Sequence, residues 1–360
     1  MEMRLRRNDP VEPHEDYGFF GPESVTWKVW SYPTSLTVGF QRAVVVEELD
    51  PALIAAVDAT NAVRYRPRTR YDRTLRYFAM VAFGDSRSAI KASEVLVKVH
   101  AKAVGVEPLS GNPYDANDPH SQLWIHLTAW HSILYAYERY GPGRLSEEEE
   151  SRYWEECAVA AELQTCDPAD VPRSREGIRQ YFEEMRPKLA GSEAAQSMME
   201  HLLNADVMLP ELPIVFRPGQ WVVAKVLRAA TIATMPQWMR KMGGLSQSRL
   251  TDALVRPVML ISFRFGNVSA RLRLQALRLL SPSTVPVVAP IFLGIEPQTP
   301  ETLTPAEARE RYDVLSPVEE YARFRAHIAK KVAARESAED EQVLRERVFG
   351  ESEAVLGPVA

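Results

Sequence analysis

Along most of this chain apolar residues recur at three- and four-residue spacing, the period of an amphipathic helix. The clearest case is NDPHSQLWIHLTAWHSILYAYERYG. Asp118 suits the cap, Pro119 the first helical position, and Gly141 follows the last turn. Leu123, Trp124, Leu127, Trp130 and Leu134 then form one buried stripe. LSEEEESRYWEECAVAAEL opens with a capping box, Ser146 with Glu149 three residues on. Ser174 and Ser192 cap the next two helices, and Asp85 or Ser86 caps AIKASEVLVKVHAKAVG, which is expected to run to Gly105. TLRYFAMVAFG reads as a short helix ending near Gly84. WVVAKVLRAATIA, RLTDALVRPVMLISF, SARLRLQALRLL and PVEEYARFRAHIAKKVAARESA also favour helix. No run alternates apolar and polar residues between turns as a strand array would.

The expectation is an all-α protein, a single large multi-helix globular fold. Its central layer would comprise 74–83, 86–104, 119–140 and 146–163. Turn-rich breaks fall at 209–219 and 281–300, the first being the better candidate for a boundary between a central core and a C-terminal helical layer. The chain is read as an N-terminal tail (1–20), a helical core (21–280) and an extension with amphipathic helices (281–360).

Composition narrows the function. With 360 residues, 46% of them apolar, the chain can bury a core and still line a cavity. The net charge of −5 leaves no basic footprint for nucleic acid beyond Arg4, Arg6 and Arg7. Two cysteines, Cys157 and Cys166, cannot staple a fold of this size and point to a reduced compartment. No signal-like or membrane-spanning apolar run is present, so the chain is expected to be cytoplasmic, with shallow membrane contact left open. Oligomeric state is not readable.

Several side chains could carry chemistry. His100 stands beside the apolar stripe of its helix. It is either a core histidine bonded to a backbone carbonyl or an axial ligand to haem iron, which also needs a neutral imidazole in a dry pocket. His120, His126 and His131 lie six and five residues apart, rotations of ~240° and ~140°, so they do not chelate one ion. His126, between Trp124 and Leu127, is either a second pocket residue or a packed interior histidine. RYRPRTRYDRT places five arginines before an apolar helix, either as a solvated loop or as guanidinium groups facing carboxylates. No nucleophile motif, phosphate loop or dinucleotide fingerprint occurs.

FGPESVTWKVWSYP, RTLRYFAMVAFGDSRSAIKASEVLVKVHAKAVG, GNPYDANDPHSQLWIHLTAWHSILYAYERYG and ADVPRSREGIRQYFEEM, in this order and spacing, resemble the rubber-oxygenase catalytic domain. That family includes latex-clearing proteins and the fungal MpaB oxygenases. The resemblance covers roughly residues 21–189, and more loosely the helices to about 280. It implies an all-helical fold enclosing haem b, which uses O2 to cleave carbon–carbon double bonds of an apolar isoprenoid, polyketide or acyl substrate. His100 would be the proximal ligand to iron. Arg70 and Thr74 match the distal arginine and threonine, while Arg73 and His126 would contact the cofactor. The family's acidic residue corresponds by spacing to Asp58, with Glu48 second.

The chain departs from the family where Arg73 replaces a distal lysine. A guanidinium offers no lone pair, so a lysine-capped closed state is not available. Two other classes fit the residues alone: a haem carrier or sensor without oxygenase activity, and a haem-free helical interaction protein. The absorbance spectrum of the purified protein separates the second from the rest.

Overall fold

The computed structural model describes residues 11–60, 65–204, 209–210 and 212–330. Helices Val25–Trp30, Phe40–Val46, Pro51–Thr60, Pro67–Phe83 and Ser86–His100 come first. A two-stranded hairpin, Val104–Val106 with Pro113–Asp115, then leads into helix Pro119–Tyr140. Glu147–Ala161, Arg175–Met185, Glu193–Leu202, Arg217–Ala233, Gln237–Met242, Arg249–Gly266, Ala270–Leu280, Val285–Leu293 and Pro305–Tyr312 follow, and a last helix occupies 317–330. The fold is all-α.

Helix Pro119–Tyr140 is the hub. It packs against the π-helical turn Ser35–Gly39, against Phe40–Val46 and Val25–Trp30, and against Arg249–Gly266. Gly39 makes this approach possible, since a Cβ there would stand 3.0 Å from the Ile133 Cα. The predicted stripe Leu123, Trp124, Leu127, Trp130 and Leu134 is buried throughout. Trp30 and Trp130 stack at 5.1 Å, and Tyr153 donates to the Trp130 carbonyl at 2.9 Å, so the polar edge of the cluster is satisfied. At about 25 cal/mol per Å2 over roughly 150–250 Å2, each such ring contributes about 4–6 kcal/mol of gross burial.

The caps at Asp118, Ser146, Ser174 and Ser192 form as predicted, the second as a full capping box. Asp85, rather than Ser86, caps Ser86–His100 by accepting from the Ser88 N–H. Ser86 instead donates its amide to Asp16 at 2.8 Å and its hydroxyl to the same carboxylate. Phe19 and Phe20, inside the segment read as a tail, are buried in the core.

One helix ends earlier than its pattern suggested. It stops at His100, where Ala103 donates to the His100 carbonyl at 2.8 Å and tightens the last turn. The chain then enters the hairpin, whose turn is fixed by Gly111 in the left-handed region (φ +72°). Glu107 accepts there from the Leu109 and Ser110 amides at 2.6 and 2.7 Å. β-branched Val104 and Val106 on either side of Gly105 favour strand over one more helical turn.

Residues 1–10, 61–64 and 331–360 lie outside the described residues, and with them Arg4, Arg6, Arg7, the first arginine of the 64–74 run and the charged end of the chain.

Candidate functional site

The hairpin after His100 returns the chain so that two helix ends meet. Asp118 caps the incoming helix by accepting from the His120 and Ser121 amides at 3.0 Å. One turn on, Gln122 faces the half-buried ring of His100. Its side-chain nitrogen stands 3.2 Å from His100 Nδ1 and donates to the Ala116 carbonyl at 2.5 Å. The same carbonyl hydrogen-bonds the imidazole.

Burial, reinforced by the charge of Arg70, lowers the His100 pKa to about 4, so the ring is neutral at pH 7. With Nδ1 accepting from the Gln122 amide, the single proton of the neutral ring lies on Nε2. Binding a metal through Nε2 would require that proton to move to Nδ1 and the Gln122 amide to turn its oxygen towards it.

Arg70 comes from helix Pro67–Phe83, with Pro67 at its first position. Thr74 is one turn further on and half-buried, about 40° from Arg70 around the axis. Arg73 is exposed. The Arg70 charge reaches a second group, Glu47, in the turn that closes helix Phe40–Val46. Burial pushes the Glu47 carboxyl up to about 7, with Arg70 pulling in the other direction. Trp124 holds this turn by donating its indole N–H to the Glu47 carbonyl at 3.1 Å. Arg70 is itself exposed, and its charge acts on both the neutral imidazole of His100 and the Glu47 carboxyl.

The acidic residues named from the sequence lie elsewhere: Asp58 is exposed on helix Pro51–Thr60, and Glu48 is buried beside Glu47 with its own contacts. Glu47 was missed. The signal was present in FQRAVVVEEL, where a carboxylate follows directly on an apolar helix.

The other histidines take different places. His126 is fully buried. Its Nε2 donates to the Cys157 carbonyl at 2.7 Å, and its Nδ1 accepts from Gln164 at 3.1 Å. Both nitrogens are engaged, and burial lowers its pKa to about 4. His120 is exposed at the helix start. His131 faces away from His126, its ring 4.9 Å from Phe182 and its Nδ1 3.4 Å from Arg42. Among the described residues, no three His, Cys, Asp or Glu side chains are grouped to hold a metal ion.

Comparison with known proteins yields one match. A family described as "ER-bound oxygenase mpaB/B'/Rubber oxygenase, catalytic domain" matches residues 27–264, about two thirds of the chain. No curated protein and no solved structure matches it.

Proposed function

The chain belongs to the mpaB/rubber oxygenase catalytic-domain family, and from that premise we propose that it is a haem b-dependent oxygenase centred on His100. It would act with O2 on an apolar unsaturated molecule. The observation that carries the reading is the state of His100: neutral, held at Nδ1 by Gln122, and under the charge of Arg70, which also acts on the near-neutral Glu47 carboxyl.

The donor set fits haem with a single protein ligand. His100 would bind the iron through Nε2 once its proton moves to Nδ1, with the Gln122 side chain and the Ala116 carbonyl fixing the ring. Bound haem b would supply the iron that activates O2. Arg70 provides a permanent positive charge to offset negative charge that develops on oxygen during reaction. The Thr74 hydroxyl, on the same helix face, positions that oxygen by hydrogen bonding. Glu47 takes or returns a proton, since a carboxyl near 7 has comparable acid and base forms at neutral pH. This assigns to Glu47 the role that spacing gave to Asp58 or Glu48. Arg73 offers no amine to the site.

The surface bears on how an apolar substrate arrives. Among the described residues, no helix is long and apolar enough to cross a membrane. Helix Arg249–Gly266 is nevertheless apolar on two sides. Val255, Met259 and Phe263 are buried, while Leu250, Leu254, Ile261 and Phe265 face solvent, Phe265 being 72% exposed. Trp221 on the neighbouring helix is 62% exposed. Residues 212–295 hold eleven arginines and lysines against one acidic residue, Asp252, in a chain of net charge −5. Exposed apolar side chains inside a basic field suit peripheral contact with an anionic lipid surface.

Haem titration tests the central claim. Wild type should take up haem with a Soret band, and His100→Ala should lose it while helical circular dichroism survives. Normal uptake by His100→Ala together with loss in His126→Ala would move the ligand to the next helix, against the proposal.

A further inference from the structure

Arg42 is the largest unexplained cost in the core. Its side chain is 1% exposed, yet no carboxylate among the described residues lies within ion-pair distance. Of five N–H donors, Nη1 donates to Ser132 Oγ at 2.5 Å and stands 3.4 Å from His131 Nδ1. The guanidinium carbon lies 5.4 Å from the centroid of Tyr135, and Nε has no hydrogen-bond partner. Burial lowers the Arg42 pKa to about 10, which still leaves it protonated at pH 7. A buried charge without a counter-ion is strongly unfavourable, and an anionic ligand would remove that cost.

The surroundings say what that partner would be. Arg42 lines a cleft of about 340 Å3 that opens to solvent, within the usual size range for small-molecule sites. Phe182, Met235, Trp238 and Met239 make much of its wall apolar. The cleft's two other cations are paired and reach solvent, Arg179 with Glu176 at 2.6 Å. Arg175 is bound by Glu138 at 2.6 and 3.1 Å and by Glu150 at 2.8 Å. His131 is held neutral by burial and by the Arg42 and Arg175 charges, so it adds no positive charge. One uncompensated charge remains, deep in an apolar cleft, with Glu138 and Glu183 also lining it. Those carboxylates disfavour a dianion such as phosphate.

We propose that this cleft binds a small apolar monocarboxylate, with its carboxylate on Arg42 and its chain along Phe182 and Met239. The site is separate from His100, since neither His100, Arg70 nor Thr74 lines it. It therefore does not depend on haem binding.

The probes are decanoate and decan-1-ol, below their aggregation limits, titrated calorimetrically into the full chain. They share a chain and differ in charge. Decanoate should bind at one site at least about tenfold more tightly than decanol. Arg42→Met should lose that preference while decanol binding stays within about twofold, and Arg42→Lys should keep part of it. Equal binding of the two probes, no decanoate binding, or an unchanged preference in Arg42→Met would each overturn the proposal. Should Arg42→Met fail to fold, methyl-labelled methionine in the wild type decides. Decanoate should shift the Met235 and Met239 signals and leave Met80 and Met185 in place; a shift spread over all four, or none at Met235 and Met239, would count against it.

Discussion

The Gln122 side-chain nitrogen lies 3.2 Å from His100 Nδ1, a contact between two helix ends made possible by the hairpin that joins them. Without that contact the imidazole, at the fraying last turn of its helix, would be free to rotate. The amide and the Ala116 carbonyl together fix which nitrogen points outward.

Gln122→Leu should therefore weaken haem binding by roughly 10–100-fold, the usual cost of losing a partner that orients a histidine ligand. Gln122→Glu should do the reverse to the electronics. A carboxylate beside Nδ1 makes the ring more basic and should lower the reduction potential. Soret titration and potentiometry read the two effects, and unchanged values in both variants would remove Gln122 from the site.

Much of this neighbourhood was legible in the sequence and part of it was not. The Asp118 cap and the stripe from Leu123 to Leu134 are local signals that mark the helix carrying Gln122, and the Asp85 cap marks the one carrying His100. Arg70 and Thr74 share a face because helical geometry dictates it. Glu47 depended on tertiary packing. The Arg70 charge on Glu47 comes from helix Pro67–Phe83, a separate element, and no local pattern encodes how the two come together. Arg42 was hidden for the same reason: inside FQRAVVV nothing marks an arginine that will have no carboxylate partner.

Acid should destabilise the protein. The His126 pKa falls from 6.5 in the unfolded chain to about 4 in the fold, so between these values the unfolded state binds more protons and stability falls with pH. The slope is about 1.4 kcal/mol per pH unit for each such histidine. His100 and His131 act with the same sign. Glu47, raised to about 7, and Asp50, also raised by burial, oppose them, while His14, lowered by burial, adds to the histidines. Urea unfolding at stepped pH should show the decline from about 6.5 downward, shallower by roughly one histidine's share in His126→Gln. An identical slope in that variant would mean His126 already titrates normally in the fold.

The basic, apolar face around Phe265 should bind vesicles of phosphatidylcholine with phosphatidylglycerol and not phosphatidylcholine alone. At about 1 kcal/mol per basic residue near the surface, reversing Arg249, Arg256 and Arg264 to glutamate should cut binding by more than tenfold. Trp221→Ser with Phe265→Ser should do so without changing net charge. Flotation measures this. If instead the wild type is dimeric and the double serine variant monomeric, the face joins two copies of the chain, despite the like charges such a contact would bring together.

The most discriminating experiment concerns the pair Glu47 and Arg70. Burial raises the Glu47 carboxyl to about 7, and Arg70 lowers it from a still higher value. Removing the guanidinium in Arg70→Gln must then raise the Glu47 pKa further, and it must also raise that of His100, which the same charge depresses. Both shifts are upward, although one group is an acid and the other a base, because a positive charge disfavours the protonated form of each. An isotope-edited infrared titration of the protonated carboxyl should place Glu47 near 7 in wild type and higher in Arg70→Gln, with the band lost in Glu47→Gln. If Glu47 is the proton acceptor in turnover, the rate should rise through the same pH range in wild type and follow the shifted value in Arg70→Gln. A Glu47 that titrates near 4.5 in both proteins would show that water reaches the carboxyl freely, and the acid of this site would have to be sought again at Glu48 or Asp58.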